Sequence, residues 1–188
     1  MPAHPAPSQT EIATFAGGCF WCLEAAFNQL QGVIRAESGY SNGSHPQPDY
    51  DVVCSGRSGH AEVVQVTYDP ALITYRQLLE IFFSLHDPTT LNRQGNDVGT
   101  QYRSAVFTHD PQQAAQARAL IEELSLSRVY AAPIVTEVRP VDNYHPAEDE
   151  HQGYVSRHPF QGYCAVVVAP KLSKFRQTFS DLLRSDAK

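Results

Sequence analysis

The amino-acid sequence predicts an α+β fold: a single-domain, two-layer α/β sandwich with a mixed sheet, arranged as a ferredoxin-like plait with long loops. Its 188 residues suit one domain, which buries most of the surface that the unfolded chain exposes. Strand-like and helix-like segments alternate along the chain, as they do in layered folds. Two polar stretches, 41–59 and 86–103, interrupt this alternation, and loops of that length are usually functional.

The first half of the chain contains three predicted strands and two predicted helices. The strands are expected at 11–16, 33–40 and 61–68, and the helices from 19 to about 31 and at 74–85. In the first helix the apolar residues recur every three or four positions, at Leu23, Ala26, Phe27 and Leu30. This spacing is typical of a helix with one buried face, whereas the β-branched run at 61–68 favours a strand.

The second half contains shorter elements. They are a strand at 104–108, a helix after Asp110, a strand at 134–138, one or two helical turns at 147–156, a strand or extended arm at 164–168, and a C-terminal helix at about 171–184. Asp110 is a helix-capping residue type, and Pro111 suits the first helical position. The closing segment places Leu172, Phe175 and Phe179 at helical spacing.

Composition and charge exclude several classes of partner. The net charge is -6, and the 14 Lys and Arg residues form no run, so neither a nucleic acid nor an anionic membrane is an expected partner. Residues 1–10 have neither a cationic start nor an apolar core and are predicted to be a flexible tail. No stretch approaches the roughly 20 apolar residues of a spanning helix. We expect a cytoplasmic monomer.

A cysteine at a strand–helix junction is the first candidate for chemistry. Gly17 and Gly18 precede Cys19, and glycines allow unusual backbone angles and close approach of a substrate. The positive end of a helix dipole favours the thiolate, which is the reactive form of cysteine. A small buried apolar side chain is the competing interpretation. Phe20 and Trp21 follow Cys19 directly, although aromatic residues at a helix start usually belong to the core.

Several motifs together resemble the peptide methionine sulfoxide reductases of the A type, which act on the S epimer of the sulfoxide. Gly18-Cys19-Phe20-Trp21 resembles the signature of that family. The other matching blocks are Gly39-Tyr40-Ser41-Asn42-Gly43 with Tyr50, Gly59-His60-Ala61-Glu62, Arg93-Gln94-Gly95-Asn96-Asp97, Gly99-Thr100-Gln101-Tyr102-Arg103-Ser104, Ala147-Glu148-Asp149-Glu150-His151-Gln152 and Gly162-Tyr163-Cys164. The likeness extends from about Ile12 to Cys164. It implies that 11–188 is a catalytic domain that reduces methionine sulfoxide, free or in oxidised proteins.

The resemblance also implies roles for individual residues. Cys19 attacks the sulfoxide, and Glu62 supplies a proton. Glu62 begins an apolar strand, where burial would raise its pKa and keep it un-ionised; a solvated surface charge is the competing interpretation. Tyr50 and Tyr102 could donate hydrogen bonds to the sulfoxide oxygen. Asp97 would orient water or polar groups of the substrate, unless it is only a turn residue. Phe20 and Trp21 would form an apolar slot for the methyl group.

Attack would leave Cys19 as a sulfenic acid, which a second cysteine must convert to a disulfide. The resemblance implies Cys164 for this resolving role. Cys22 is the alternative, because Cys19 and Cys22 form a C-x-x-C motif at a helix start, and many family members have glycine there. Cys54 is expected to be a bystander. Thioredoxin or a similar dithiol protein would then reduce the disulfide.

No metal or organic cofactor is expected. The cysteines and histidines lack the spacing of a tetrahedral zinc site, and the glycine-rich stretches match neither a P-loop nor a dinucleotide fingerprint. Two competing functions remain open at this point. One is a general dithiol–disulfide oxidoreductase that uses Cys19 and Cys22. The other is a non-enzymatic module that binds methionine-rich or oxidised partners through Phe20 and Trp21.

Overall fold

Residues 9–188 are described by a computed structural model, so most of the tail expected at 1–10 lies outside the described residues. The strands are β1 (Glu11–Ala16), β2 (Val33–Ser41), β3 (Ala61–Tyr68), β4 (Arg93–Gln94), β5 (Asp97–Val98), β6 (Ala105–Thr108), β7 (Glu137–Pro140) and β8 (His145–Pro146). The α-helices are α1 (Phe20–Phe27), α2 (Tyr50–Cys54), α3 (Tyr75–Leu85), α4 (Pro111–Leu126), α5 (Tyr154–Arg157) and α6 (Ala169–Thr178). None of these helices is long and apolar enough to cross a bilayer.

One mixed sheet organises the domain. Its strand order is β7-β6-β1-β3-β2-β8, with β6 and β7 parallel and every other neighbouring pair antiparallel. The central order β6-β1-β3-β2, with α1 and α3 as connections, is the arrangement of a ferredoxin-like plait. The predicted fold class is therefore confirmed.

The main core lies between the sheet and the helices. Phe15 of β1 stacks on Phe27 of α1 and on Phe82 of α3, with ring centroids 5.5 and 4.9 Å apart. The three rings are fully buried, so they bring the ends of α1 and α3 against the middle of the sheet. Phe15, one residue before the end of β1, is thus packed between α1 and α3.

Two helix starts have the capping that their sequences encode. Thr74 accepts a hydrogen bond from the backbone N–H of Gln77, whose side chain accepts one from the N–H of Thr74 in return. Asp110 accepts a hydrogen bond from the backbone N–H of Gln113, and Pro111 occupies the first turn of α4. The cap predicted at Asp110 is confirmed.

Several predicted boundaries were wrong. The first helix ends at Phe27 rather than near residue 31, and the strand expected at 134–138 lies at Glu137–Pro140. Both polar loops contain short elements. The first contains α2, and the second contains the β4–β5 hairpin and a 3-10 turn at Thr100–Tyr102. The turns expected at 147–156 are a 3-10 turn at Asp149–His151 followed by α5.

The strand or extended arm expected at 164–168 is helical. Cys164–Val168 forms a π-helix that continues directly into α6, which ends at Thr178 rather than near residue 184. The Val166-Val167-Val168 run has high strand propensity, but Cys164 and Val168 are both buried and lie one helical turn apart. Burial of this helical face overrides the local preference of the valines.

Candidate active site

A tight turn between β1 and α1 positions Cys19. Gly18 has a φ of 84°, and a Cβ placed on it would lie 2.8 Å from the side chain of Gln94. A Cβ on Gly17 would lie 2.9 Å from the ring of Phe82. The turn therefore needs both glycines in order to pack against its neighbours. Cys19 is the N-cap residue of α1, and the residue as a whole is partly exposed, although protein atoms surround most of its thiol.

Glu62 lies beside the start of the same helix. It is a β3 residue with 1% exposure, and its Oε1 accepts a hydrogen bond of 3.2 Å from the backbone N–H of Phe20. Burial raises the pKa of Glu62 to about 8; the Phe20 N–H opposes this rise, and the charge of Asp97 adds to it. The carboxyl is thus mostly un-ionised at neutral pH. The predicted burial and the direction of the pKa are confirmed.

The thiol of Cys19 is also un-ionised in the resting chain, which corrects the expectation of a thiolate. Burial raises its pKa well above 9.0, Glu62 raises it further, and the backbone N–H of Trp21 lowers it only in part. The positive end of a helix stabilises a nearby thiolate by only about 0.3–1 kcal/mol. α1 has only eight residues, and the Phe20 N–H in its first turn is bonded to Glu62. Loss of water around the sulfur therefore outweighs the helix end.

One cavity of about 180 Å³ collects the residues around these two groups. It is lined by Cys19, Phe20, Trp21, Tyr50, Glu62, Asp97, Tyr102 and Tyr163. The first seven are all of the catalytic and substrate-binding residues that the sequence predicts. They come from the start of α1, from β3, and from the two long polar stretches, and the fold brings these segments together.

The two predicted tyrosine donors are held by short elements within the polar stretches. Tyr50 is the first residue of α2, and Tyr102 ends the 3-10 turn. Burial raises the pKa of both hydroxyls, so both remain protonated donors at neutral pH. The ring of Tyr50 packs against His151, with centroids 4.4 Å apart.

Glu148 positions Tyr50 and was missed by the sequence analysis. One of its carboxylate oxygens accepts a hydrogen bond of 3.1 Å from the backbone N–H of Tyr50, and the other accepts one of 2.9 Å from the hydroxyl of Tyr40. Tyr40 lies in β2 and is fully buried. The carboxylate therefore ties the first turn of α2 to the sheet. The only sequence signal was its place in the Ala147–Gln152 block.

Tyr163 is a second residue that the sequence analysis left without a role. Its hydroxyl donates a hydrogen bond of 2.6 Å to Oδ2 of Asp97 at the edge of the cavity. Asp97 is thereby given a fixed orientation, which a simple turn residue would not need. The sequence signal for Tyr163 was its place in the Gly162-Tyr163-Cys164 block, in which only Cys164 was assigned a role.

The two aromatic residues after Cys19 have different surroundings. Phe20 is fully buried, with its ring 5.7 Å from that of Tyr40. Trp21 is partly exposed and stacks on Tyr154 at 3.8 Å, and its indole N–H donates to Nδ1 of His151 at 3.2 Å. Phe20 thus belongs to the core as well as to the cavity wall, and Tyr154 and His151 hold the ring of Trp21 in place on the same wall.

The candidate resolving cysteines differ in position. Cys22 lines a cavity of about 190 Å³ together with Cys19. Cys164 is 1% exposed and lines a different cavity, of about 480 Å³, on another side of Trp21. Cys54 is exposed and interacts with the hydroxyl of Tyr50. All four cysteines are free thiols, so no disulfide joins Cys19 to Cys164 or to Cys22 in this structure.

Glu148, Glu150 and His151 form the one group in residues 9–188 whose ligand atoms lie close enough for a metal ion, within 4.8 Å of one another. Both oxygens of Glu148 already accept hydrogen bonds, and Nδ1 of His151 accepts one from Trp21. Nδ1 is therefore the unprotonated nitrogen and Nε2 carries the proton, so Nε2 has no lone pair for a metal. The group is better suited to positioning the aromatic side chains.

The family model described as peptide methionine sulfoxide reductase matches residues 11–183. A relative from Chromobacterium violaceum, named peptide methionine sulfoxide reductase MsrA, is 56% identical over 93% of this chain and 99% of its own. Methionine sulfoxide reductase A of Corynebacterium diphtheriae superposes with a TM-score of 0.77 at 39% identity, covering 84% of this chain and 78% of its own. Mxr1 from Saccharomyces cerevisiae in complex with Trx2 superposes with a TM-score of 0.54 at 27% identity, covering 81% and 90%.

Proposed function

The chain belongs to the peptide methionine sulfoxide reductase family and is a thiol-dependent oxidoreductase, and we propose that it reduces the S epimer of methionine sulfoxide through a sulfenic acid at Cys19. One observation carries this proposal. The thiol of Cys19, a partly exposed residue, and a buried, protonated carboxyl line the same small cavity. Sulfoxide reduction needs a nucleophile on sulfur and a proton for the oxygen, and these two groups supply them.

In the first step, Cys19 attacks the substrate sulfur while Glu62 donates its proton to the sulfoxide oxygen. The carboxylate that results takes the proton of the Cys19 thiol, which would not ionise readily by itself. The S–O bond of the substrate breaks as the oxygen passes to Cys19. The substrate sulfur gains two electrons, and the sulfur of Cys19 loses two. The products are methionine and Cys19 sulfenic acid.

The other cavity residues favour this step in different ways. The protonated hydroxyls of Tyr50 and Tyr102 donate hydrogen bonds to the oxygen as it gains negative charge. Asp97, oriented by Tyr163, holds a water molecule or the polar end of the substrate. Trp21 and Phe20 take the methyl group. Groups fixed on three sides of the sulfur would accept one epimer, since the other exchanges the positions of oxygen and methyl.

In the second step, the thiol of Cys164 attacks the sulfenic acid and releases water, leaving a Cys19–Cys164 disulfide. Because Cys164 is buried and lines a cavity other than the reaction cavity, we expect the π-helical segment to move in this step. Cys22 is the second candidate, because it already shares a cavity with Cys19. A dithiol protein of the thioredoxin class then reduces the disulfide, and the complex of the similar Mxr1 with Trx2 supports that choice.

A single-turnover experiment tests the proposal. The reduced protein is mixed with one equivalent of a peptide that carries either the S or the R epimer, and methionine and disulfides are measured by mass spectrometry. We expect one methionine per chain from the S epimer, none from the R epimer, and a Cys19–Cys164 linkage. A Cys19–Cys22 linkage would overturn the resolving assignment alone.

The Cys19→Ser variant is the control for the first step and should form no methionine. Equal reduction of both epimers would contradict the proposed specificity. The competing dithiol–disulfide exchanger predicts something different, namely that the Glu62→Gln variant still reduces insulin disulfides as fast as the unchanged chain.

A further inference from the structure

Two cavities are lined by Cys19, and a larger groove shares wall residues with the second of them. The 180 Å³ reaction cavity and the 190 Å³ cavity share Cys19, Asp97 and Tyr163 as wall residues. The second of them shares Leu85, Gln94, Gly95 and Lys171 with a groove of about 850 Å³. The groove therefore adjoins the cavity next to the nucleophile, with these four residues as common walls.

This groove, which we call the lysine groove, lies between the end of α3, the loop at 129–132 and α6. Phe83, Phe175 and Phe179 contribute apolar surface to it. The chain has only three lysines, and two of them, Lys171 and Lys174, line this groove with exposed side chains. In a chain with a net charge of -6, such a local concentration of positive charge selects for negatively charged ligands.

We propose that the lysine groove binds the polypeptide segment next to an oxidised methionine, with preference for segments that carry Asp or Glu. This inference rests on the proposed function. A cavity of 180 Å³ has room for a side chain but not for the flanking residues, so in a protein substrate the main chain must lie on the surface. Since an extended chain advances about 3.3–3.6 Å per residue, a few residues reach from the thiol into a neighbouring groove.

The groove also contains an acidic side chain, Asp87. Its Oδ1 already accepts hydrogen bonds from the backbone N–H of Thr89, at 2.9 Å, and from the hydroxyl of Thr89, at 2.5 Å. Lys171 and Lys174 form none of the ion pairs found in residues 9–188. Their ammonium groups are therefore available to a ligand, and the groove has two positive side chains, Lys171 and Lys174, against the one negative charge of Asp87.

The test compares peptides that differ only in the charge of the residues around one S-epimer methionine sulfoxide. Glu or Lys occupies either the two positions before it or the two positions after it, and dithiothreitol is the reductant, so that no protein reductant has to bind. On one side of the sulfoxide, we expect kcat/KM to be about three- to fivefold higher for the Glu peptide than for the Lys peptide, which is the size expected from exposed charge pairs. On the other side the two peptides should be reduced equally well. The difference should shrink in 1 M salt, where the Debye length is about 3 Å.

Lys174→Glu should abolish or invert that preference, while kcat/KM for free N-acetylmethionine sulfoxide stays unchanged. Lys188→Glu makes the same charge change at the chain end, outside the groove, and should leave the preference intact. The proposal is overturned if Lys174→Glu affects all peptides equally or none, or if Lys188→Glu has the same effect. It is also overturned if Lys174→Glu slows only recycling by thioredoxin, because the groove would then bind the reductant. Failure to reduce the free sulfoxide would refute the proposed function instead.

Discussion

The two cysteines that the proposed reaction joins lie in regions of different character. Cys19 follows a strand of the central sheet, opens onto a cavity, and has Glu62 hydrogen-bonded to the next residue of its helix. Cys164 lies in a π-helix near the end of the chain, is almost fully buried, and lines a cavity without Glu62. The residues proposed for the first step line one cavity in the resting structure, whereas we expect the second step to need a rearrangement.

This difference shows where rigidity is useful. Transfer of oxygen to Cys19 depends on positions defined to within a fraction of an ångström, and residues packed on a sheet supply them. Disulfide formation needs the two sulfurs to meet, and a π-helical segment such as Cys164–Val168 is a kind of irregularity that is frequent at functional sites. We therefore expect changes on the Cys19 side to affect the first step, and changes on the Cys164 side to affect the second.

Loss of the proton donor should have the largest effect. Glu62→Gln keeps the size of the side chain and removes the transferable proton, so the methionine burst in a single turnover should slow by about 10²–10⁴-fold. Cys164→Ser should leave the burst rate within about twofold and abolish the Cys19–Cys164 disulfide. Rapid-quench measurement of both variants checks the comparison. A slow burst in Cys164→Ser would mean that the two regions are not independent.

The rates of the two steps should change in opposite directions as the pH rises. The pKa of Glu62 is about 8 and that of Cys19 lies well above 9.0. Between these two pKa values, loss of the Glu62 proton should therefore control the rate of the methionine burst. The burst rate should fall as pH rises through 8, by about tenfold per unit beyond it. Burial raises the pKa of Cys164, whose thiolate is the attacking form, so disulfide formation should become faster over the same range.

Stopped-flow traces at several pH values, with the methionine and disulfide yields measured separately, test this expectation. The Glu62→Gln variant is the control, because its residual burst should lose the fall near pH 8. A burst rate that rises with pH in the unchanged chain would show that ionisation of Cys19, and not protonation by Glu62, limits the first step.

A smaller effect is expected at Glu148, which holds Tyr50. Glu148→Ala leaves the buried Tyr40 hydroxyl and the Tyr50 N–H without their acceptor. We expect stability to fall by about 1–3 kcal/mol and the burst to slow about three- to tenfold, with disulfide formation unchanged. In a Tyr50→Phe background the same change should have little further effect on the burst. Additive effects would show that Glu148 acts by another route.

The site was more predictable than the elements around it. Cys19, Phe20 and Trp21 are adjacent in the chain, and the glycines before them mark a strand–helix turn, so the sequence alone indicates a reactive position. Glu62 begins an apolar strand, where a solvated charge was the competing interpretation, and the resemblance of the block at 59–62 to a known family favoured the buried acid that the structure shows. Tyr163 and Glu148 escaped notice because their partners, Asp97 and Tyr50, are 66 and 98 residues away. No local pattern marks such a contact.

By itself, the sequence determined the plait of strands and helices, the nucleophile at the turn, and the set of polar residues in the two long loops. The strands, helices and turn follow from side-chain periodicity and residue type, which are local properties of the chain, whereas the roles of the loop residues were implied by the resemblance of their motifs to a known family. The tertiary structure decided the ionisation of Cys19, the helical state of Cys164–Val168, and the separation of Cys19 from Cys164. Each of these depends on how much water is excluded and which surfaces meet, and both are properties of the folded chain as a whole.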